Sequence, residues 1–158
     1  MTIRIAWGTA TAPTEMSAYD AALADANLHN YNLVTVSSVI PESVPVEVVG
    51  TAPDLGAIGN QLTVVEAHAS VAGPNQASAG LAWSRAADDG PGLFYEASGE
   101  TSADEIAQIV RAGLDAGRDL REWDFDGEHV ETASVTADPG EYASAVVVAA
   151  YGESGPIC

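Results

Sequence analysis

The order of strand-like and helix-like segments restricts the fold of this chain more than any other feature of its sequence. Only two segments have helical periodicity, Thr14–Asn27 and Ser102–Arg121. The strand-like segments are Ile3–Trp7, Asn32–Val39, Leu62–Val71, Ala79–Arg85, Gly92–Ala97, Glu128–Ala137 and Tyr142–Tyr151, with a further short candidate in 46–50. Because strands follow one another without an intervening helix, the sequence predicts an α+β layered sandwich rather than an alternating βαβ fold. A length of 158 residues fits a single domain.

Local signals mark where both helices begin. Thr14 is the predicted N-cap of the first helix, and Ser102 with Glu105 forms the pattern of a capping box at the second. The residues expected on the buried faces are Met16, Tyr19, Leu23 and Ala26 in the first helix and Ile106, Ile109, Val110 and Leu114 in the second. Both helices are therefore expected to cover a sheet with one apolar face.

Glycine and proline indicate two further local features. Gly113 and Gly117 lie inside the second helix, where they predict either close packing against a neighbour or an early helix end. The turn sequence Asp138–Pro139–Gly140 separates the last two strands. This spacing predicts that those two strands form a hairpin.

The charge of the chain is strongly one-sided. It has 23 acidic residues against five cationic residues, all of them arginine, and a net charge of −18. Such a surface repels nucleic acids and anionic membranes, so neither is an expected partner. An acidic excess without lysine is typical of proteins from salt-accumulating halophiles, in which salt screens the self-repulsion. The chain has no apolar run of about 18 residues and its first residues read as a strand, so we expect a cytoplasmic protein.

The residues that are missing or scattered exclude several kinds of chemistry. Without lysine, the chain has no P-loop lysine and no anchor for pyridoxal phosphate. Its single cysteine, Cys158, is the last residue. The three histidines, His29, His68 and His129, lack the spacing of a zinc site, so no metal is expected.

Two adjacent serines, Ser37 and Ser38, end the second strand-like segment, in VSSVIP. Taken alone, such a pair is most simply read as serines that bind nearby backbone. No G-x-S-x-G motif surrounds them, and no histidine has a spacing that indicates a catalytic triad.

The segments SAYDAAL (17–23), HNYNL (29–33), VSSVIP (36–41) and GLFYE (92–96) occur in the chain in that order. This combination resembles the archaeal pyruvoyl-dependent arginine decarboxylases, whose pattern is approximately A-F-D-x-A-L, N-x-N-L, V-S-S-I-x-P and G-(V/I)-x-x-E. The resemblance is clearest over residues 14–100. One departure is His29, which stands in a turn where many members of the family have glycine.

The resemblance implies that the chain cleaves itself between Ser37 and Ser38, into a β chain of residues 1–37 and an α chain of residues 38–158. Ser38 would attack the preceding carbonyl, and elimination followed by hydrolysis would leave a pyruvoyl group at its position. That group would form a Schiff base with the substrate amine, so neither lysine nor pyridoxal phosphate is needed. Asn32, at the second asparagine of N-x-N-L, is the candidate for stabilising the oxyanion during cleavage.

Three other residues are assigned to the substrate. Glu96 matches the family's proton donor, and its position after four apolar residues predicts partly apolar surroundings that favour the protonated acid. Asp20, at the aspartate of A-F-D, is the candidate partner of the substrate guanidinium. Met16 lies four residues earlier on the same helix and is expected to form an apolar wall beside it.

The resemblance also implies a four-layer αββα sandwich, shared with pyruvoyl-dependent histidine decarboxylase. It implies trimers or pairs of trimers with the active site between neighbouring subunits. The expected reaction converts arginine to agmatine and CO2, a step toward polyamines. Two alternatives stay open: a decarboxylase of another basic amino acid or of histidine, and an unprocessed, non-catalytic subunit with the same fold.

Overall fold

The computed structural model describes all residues, 1–158, and contains two helices and nine strands. The helices are α1 (Glu15–Asp25) and α2 (Ala103–Asp119). The strands are β1 (Ile3–Ala12), β2 (Asn32–Thr35), β3 (Val39–Ile40), β4 (Val46–Gly50), β5 (Gln61–Ala72), β6 (Gln76–Ala86), β7 (Gly92–Gly99), β8 (Phe125–Thr136) and β9 (Tyr142–Tyr151). Neither helix is long and apolar enough to cross a membrane.

The strands form two sheets, and each sheet is covered by one helix. One sheet has the order β2-β5-β9-β1-β4, and the other has the order β3-β7-β6-β8. The two sheets pack face to face, α1 lies on the outer face of the five-stranded sheet, and α2 lies on the outer face of the four-stranded sheet. The predicted four-layer αββα sandwich is confirmed.

The central strand β9 contributes side chains to two hydrophobic cores, one on each face of its sheet. Its residues are apolar on both faces, because alternate side chains of a strand point to opposite sides of the sheet. Ala145, Val147 and Ala149 lie in the core between the sheets. Val146 and Val148 lie in the core beneath α1. A strand covered on both faces therefore lacks the alternation of a half-exposed strand.

Helix α1 begins as predicted, and two residues of its predicted apolar face, Leu23 and Ala26, are buried. The Thr14 hydroxyl accepts a hydrogen bond from the Ser17 amide, and the Ser17 hydroxyl accepts one from the Thr14 amide. The buried helical residues are Ala18, Ala22 and Leu23, whereas Met16 is 75% exposed. The expectation of Met16 in the buried stripe is wrong, because the helix lies close to β1 and only small side chains fit between them. A Cβ atom at Gly8 of β1 would come within 2.1 Å of the Ala22 carbonyl oxygen.

Helix α2 follows its predicted pattern more closely. The Ser102 hydroxyl accepts from the Glu105 amide at 3.2 Å, whereas the Glu105 carboxylate binds the hydroxyl of Thr101 instead of returning to Ser102. The buried residues are Ile106, Val110 and Leu114, and the predicted Ile109 is exposed. The helix continues through both of its glycines. A Cβ atom at Gly113 would lie 2.1 Å from the ring of Tyr95, so this glycine serves close packing rather than helix termination.

The predicted hairpin of the last two strands is wrong. Strand β8 pairs with β6 in the four-stranded sheet, whereas β9 pairs with β1 and β5 in the other sheet. The turn 138–140 therefore carries the chain from one sheet to the other. It packs against the β5–β6 connection, where the Gly73 amide donates to the Glu141 carbonyl. Turn chemistry is the same whether the next strand pairs or crosses over, so the sequence pattern does not distinguish the two outcomes.

The segment predicted as one strand over Asn32–Val39 is divided in the structure. Strand β2 ends at Thr35 and belongs to the five-stranded sheet, and β3 begins at Val39 in the four-stranded sheet. Residues 36–38 cross between the sheets. Ser37 and Ser38 thus lie in a short crossing segment at the edge of the sandwich rather than inside a strand.

Candidate active site

The backbone around the serine pair makes a tight bend held to strand β7. The Val39 amide donates to the Ser37 carbonyl at 3.0 Å, which closes a three-residue turn on Ser38. The Ser38 carbonyl accepts from the Phe94 amide at 2.8 Å. The peptide bond between the serines therefore has an N–H donor on its carbonyl oxygen, and the residue after it is bound to the sheet.

The Ser38 side chain contacts the glutamate that the sequence assigns to the same site. The Ser38 Oγ donates to Glu96 Oε2 at 3.2 Å, across 58 residues of chain. Strand β7 brings the two together, because its first residues pair with β3 directly after the serines. Glu96 itself is exposed. The partly apolar surroundings expected for its carboxyl group are therefore not provided by this single chain.

A cavity of about 250 Å³ opens beside the serine pair. Its walls come from the crossing segment, from β7 and from the glycine-bearing face of α2. The lining residues are Ser37, Ser38, Val39, Leu93, Phe94, Tyr95, Gly113, Leu114, Gly117 and Arg121. The wall is mostly apolar, and Arg121 is its single charged residue.

Tyr151, at the end of β9, is a residue of this region that the sequence reasoning missed. Its hydroxyl donates to the Val39 carbonyl at 2.8 Å, and its ring makes an edge contact with Phe94. Burial, together with the charge of nearby Glu96, raises the pKa of Tyr151 to about 12. Tyr151 thus remains a neutral hydrogen-bond donor that holds the residue next to the serine pair. Its only signal in the sequence is a polar ring at the end of an apolar strand.

If the chain cleaves itself between Ser37 and Ser38, as the sequence predicts, we expect a Tyr151→Phe variant to do so more slowly. The hydrogen bond to the Val39 carbonyl contributes about 0.5–1.5 kcal/mol, so loss of it predicts a slowing of roughly 2- to 12-fold if the bond acts in the transition state. The rate is read from the intact mass of refolding precursor over time. Tyr142→Phe, at the other end of β9, is the matched control. Equal cleavage rates in both variants would exclude a positioning role for the Tyr151 hydroxyl.

Asp20 and Met16 lie in a different layer of the molecule. Both are exposed and line a hollow on the outer surface of α1, with Tyr19 between them. Helix α1 covers the five-stranded sheet, whereas Ser38 and Glu96 lie on the side of the four-stranded sheet. The two residues do share a surface as expected, but the fold of one chain does not bring that surface to the serines. Asp20 lies off the buried face of α1, which is formed by Ala18, Ala22 and Leu23.

Asn32 is likewise separated from the serine pair. It opens β2, and its side-chain amide donates to the Gly59 carbonyl at 2.7 Å. Ser37 and Ser38 lie beyond the opposite end of that strand. Within this chain, the donor on the Ser37 carbonyl is therefore the Val39 amide and not Asn32.

Glu66, an acidic residue that the sequence analysis did not identify, lies beside the hollow on α1. The Tyr19 hydroxyl donates to Glu66 Oε1 at 2.6 Å, and its ring contacts the His68 ring in a tilted arrangement with centroids 4.1 Å apart. Burial, with smaller contributions from Glu66, raises the pKa of Tyr19 well above its usual range. Glu66 and His68 are alternate residues of β5 that face α1, so their signal in the sequence is polarity on one face of an apolar strand.

Comparison with known proteins gives consistent matches over nearly the whole chain. A family model described as pyruvoyl-dependent arginine decarboxylase matches residues 2–156. The chain is 63% identical over 155 residues to the pyruvoyl-dependent arginine decarboxylase of Halobacterium salinarum, covering 98% of this chain and 96% of the relative. Proteins of the same name from Thermococcus kodakarensis and Pyrococcus abyssi are 35% and 32% identical, with 89% and 87% of this chain covered and 88% of each relative.

With these matches, the four-layer fold and the Ser38–Glu96 contact define the class as carboxy-lyases that carry a covalent pyruvoyl cofactor. The chain belongs to the pyruvoyl-dependent arginine decarboxylase family. The similarity to the Halobacterium protein also agrees with the halophile-type composition, in which acids greatly exceed cations.

Proposed function

We propose that this chain cleaves itself between Ser37 and Ser38 and then decarboxylates L-arginine to agmatine and CO2. The observation that carries the proposal is the hydrogen bond from Ser38 Oγ to Glu96 Oε2, 3.2 Å long, at a bend in the chain beside a cavity. It joins the residue that would be modified to the residue that would move a proton. The products of cleavage are a β chain, 1–37, and an α chain, 38–158.

The cleavage needs no external nucleophile. Ser38 Oγ attacks the Ser37 carbonyl, and the peptide nitrogen is displaced to leave an ester. Elimination then frees the Ser37 carboxylate, and hydrolysis of the residue left at 38 takes up one water and releases one ammonia. The Val39 amide supports the first step because it already donates to the Ser37 carbonyl, where negative charge develops.

The residues around Ser38 fit the group that cleavage would make. The Ser38 carbonyl stays bound to the Phe94 amide, so the end of the α chain remains attached to β7 after the bond is cut. A pyruvoyl group at this position supplies a carbonyl for the substrate amine and accepts the electrons left when CO2 departs. Loss of the Ser38 hydroxyl also frees Glu96 Oε2, which then faces the same space. Glu96 is the proposed donor of the proton to the α-carbon of the substrate.

Asp20 and Met16 of a neighbouring subunit are proposed to bind the side chain of the substrate. These residues and Ser38 lie on opposite sides of one chain, so a single subunit would hold an incomplete site. Assembly as a trimer or a pair of trimers, as the family resemblance implies, would bring α1 of one subunit toward the serine junction of the next. Asn32 would reach the site in the same way if it contributes to cleavage. A free amino acid as substrate is consistent with a cytoplasmic location.

An Asp20→Asn variant is expected to raise the KM for arginine by about 10-fold to 100-fold, because a hydrogen bond between charged groups contributes roughly 1.5–3 kcal/mol. Cleavage should be unaffected, since Asp20 is remote from Ser38 in its own chain. Asp104→Asn, an exposed acid on α2, is the control and should behave as the unaltered protein. An unchanged KM in the Asp20 variant would refute the guanidinium contact.

Two measurements on the purified protein in high salt test the proposed function. Intact mass is expected to show two chains that end at Ser37 and begin at position 38. Incubation with labelled arginine, lysine, ornithine or histidine is expected to release CO2 fastest from arginine. Preference for another amino acid would support the alternative substrate, and a single intact chain without CO2 release would support the non-catalytic subunit.

A further inference from the structure

The five arginines of this acidic chain differ in the contacts that their guanidinium groups make. Arg111 and Arg118 form ion pairs with Glu128, and Arg118 also pairs with Asp115. Arg85 donates to backbone carbonyls of the neighbouring loops. Arg4, Arg85 and Arg121 form no ion pair, although acids outnumber cations 23 to five in the chain. Of these three arginines, Arg121 is the one that lines the cavity beside Ser37 and Ser38.

The guanidinium of Arg121 is held in place at the cavity beside the serine pair. Its Nη1 donates to the Gly117 carbonyl at 2.9 Å, and its Cζ lies 5.4 Å from the centre of the Trp123 ring. These contacts use one of the five N–H donors of the group and one of its faces. The same side chain lines the cavity with Ser37 and Ser38 and is the single charge there. Most of its donors are thus available to an anion in that cavity.

We propose that Arg121 is the carboxylate-binding residue of the site at the Ser37–Ser38 junction. The inference rests on the proposed function, because self-cleavage and its substrate are what bring carboxylates to this cavity. One source is the Ser37 carboxylate that cleavage creates from a neutral peptide bond. The other is the α-carboxylate of the amino acid substrate. Both present two oxygens that a guanidinium binds in parallel.

The negative charge around the serine pair favours a cation at the position of Arg121. The chain already has a net charge of −18, and Glu96 lies next to Ser38. A new carboxylate at Ser37 or on the substrate would be repelled by Glu96 over a short distance. Arg121 is placed to offset that repulsion, and its contact with Trp123 orients it without neutralising it. The role is one of binding and positioning, with no bond made or broken at Arg121.

The first part of the test asks whether Arg121 binds the carboxylate that cleavage would create at Ser37. Arg121→Gln and Arg121→Lys are made in the unaltered chain and in a Ser38→Ala chain, which is expected to stay uncut. The melting temperature of each variant is compared with that of its own parent chain in the same salt. If Arg121 binds the Ser37 carboxylate, Arg121→Gln lowers the Tm of the cut protein by about 4 °C or more beyond its effect on the uncut one. Arg121→Lys keeps the charge and restores part of the difference. Arg111→Gln is the control and has the same effect in both backgrounds.

The second part of the test asks whether Arg121 binds the α-carboxylate of the substrate. Arginine has an α-carboxylate and agmatine does not, so the two compounds separate this contact from the rest of binding. If Arg121 binds the substrate carboxylate, Arg121→Gln raises the KM for arginine by about tenfold or more and leaves inhibition by agmatine unchanged. Arg121→Lys again shows a smaller loss.

The outcomes are distinct. A greater loss of Tm in the cut protein, or a raised KM with unchanged agmatine inhibition, supports the proposal and identifies the carboxylate. Equal Tm losses in both backgrounds together with an unchanged KM overturn it and leave Arg121 a purely structural residue. If the unaltered chain has no cut and no activity, the proposed function fails, and this is seen in the mass spectrum before any Arg121 variant is compared.

Discussion

A Ser38→Ala variant is expected to remain one uncut chain of 158 residues and to release no CO2 from arginine. Alanine has no oxygen to attack the Ser37 carbonyl and no leaving group for elimination, so both the cleavage and the cofactor are lost together. The fold should be retained, because the Ser38 backbone carbonyl still accepts from the Phe94 amide. Intact mass, circular dichroism and CO2 capture on the same preparation measure the three properties.

Ser37→Ala is the matched control for this variant. Ser37 contributes its carbonyl to the cleaved bond, and alanine keeps that carbonyl and its hydrogen bond from the Val39 amide. Cleavage and activity are therefore expected to persist. Two chains in the Ser38→Ala preparation, or none in the Ser37→Ala preparation, would contradict the assignment of Ser38 as the attacking residue.

A Glu96→Gln variant is expected to cleave normally and to turn over arginine about 10²- to 10⁴-fold more slowly, which is the usual contribution of a general acid. The glutamine oxygen still accepts a hydrogen bond from Ser38 Oγ, so the precursor keeps the geometry seen at 3.2 Å. The amide has no acidic proton to deliver to the substrate α-carbon. The two chains are counted by mass, and kcat is measured at saturating arginine.

Glu100→Gln, an exposed acid just beyond the same strand, is the control for the loss of one negative charge. It should leave kcat unchanged. Normal turnover in Glu96→Gln would eliminate the proton-donor role. If that variant also failed to cleave, Glu96 would act in processing, and the donor of the proton would have to be another group.

The motifs around the serines were readable from the sequence because they are local and occur in a fixed order. VSSVIP and GLFYE predicted that Ser38 and Glu96 serve one site, and in the structure a hydrogen bond joins Ser38, just before β3, to Glu96 of β7. The helix starts at Thr14 and Ser102 were also predictable, because an N-cap depends on the three residues that follow it. Such signals depend on a few neighbouring residues, and tertiary contacts rarely override them.

The sequence contains no such local signal for contacts between elements that are far apart in the chain. The turn 138–140 reads as a hairpin turn, yet it carries β9 into the other sheet because β9 pairs with β1 and β5 there. Tyr151 binds the Val39 carbonyl across 112 residues, and Arg121 reaches the serine cavity from the end of α2. Nothing near either residue in the chain indicates these contacts.

From its residues alone, then, this chain specified two capped helices and a layered α+β fold, because composition and short motifs act over a few positions. The role of the serine pair was predicted only through the resemblance of its motifs to a known family. The placement of Asp20 away from Ser38, the bend closed by the Val39 amide, and the cation at the cavity came from folding in three dimensions. These depend on which strands pair and which faces are buried, and that is a property of the whole core rather than of any one segment.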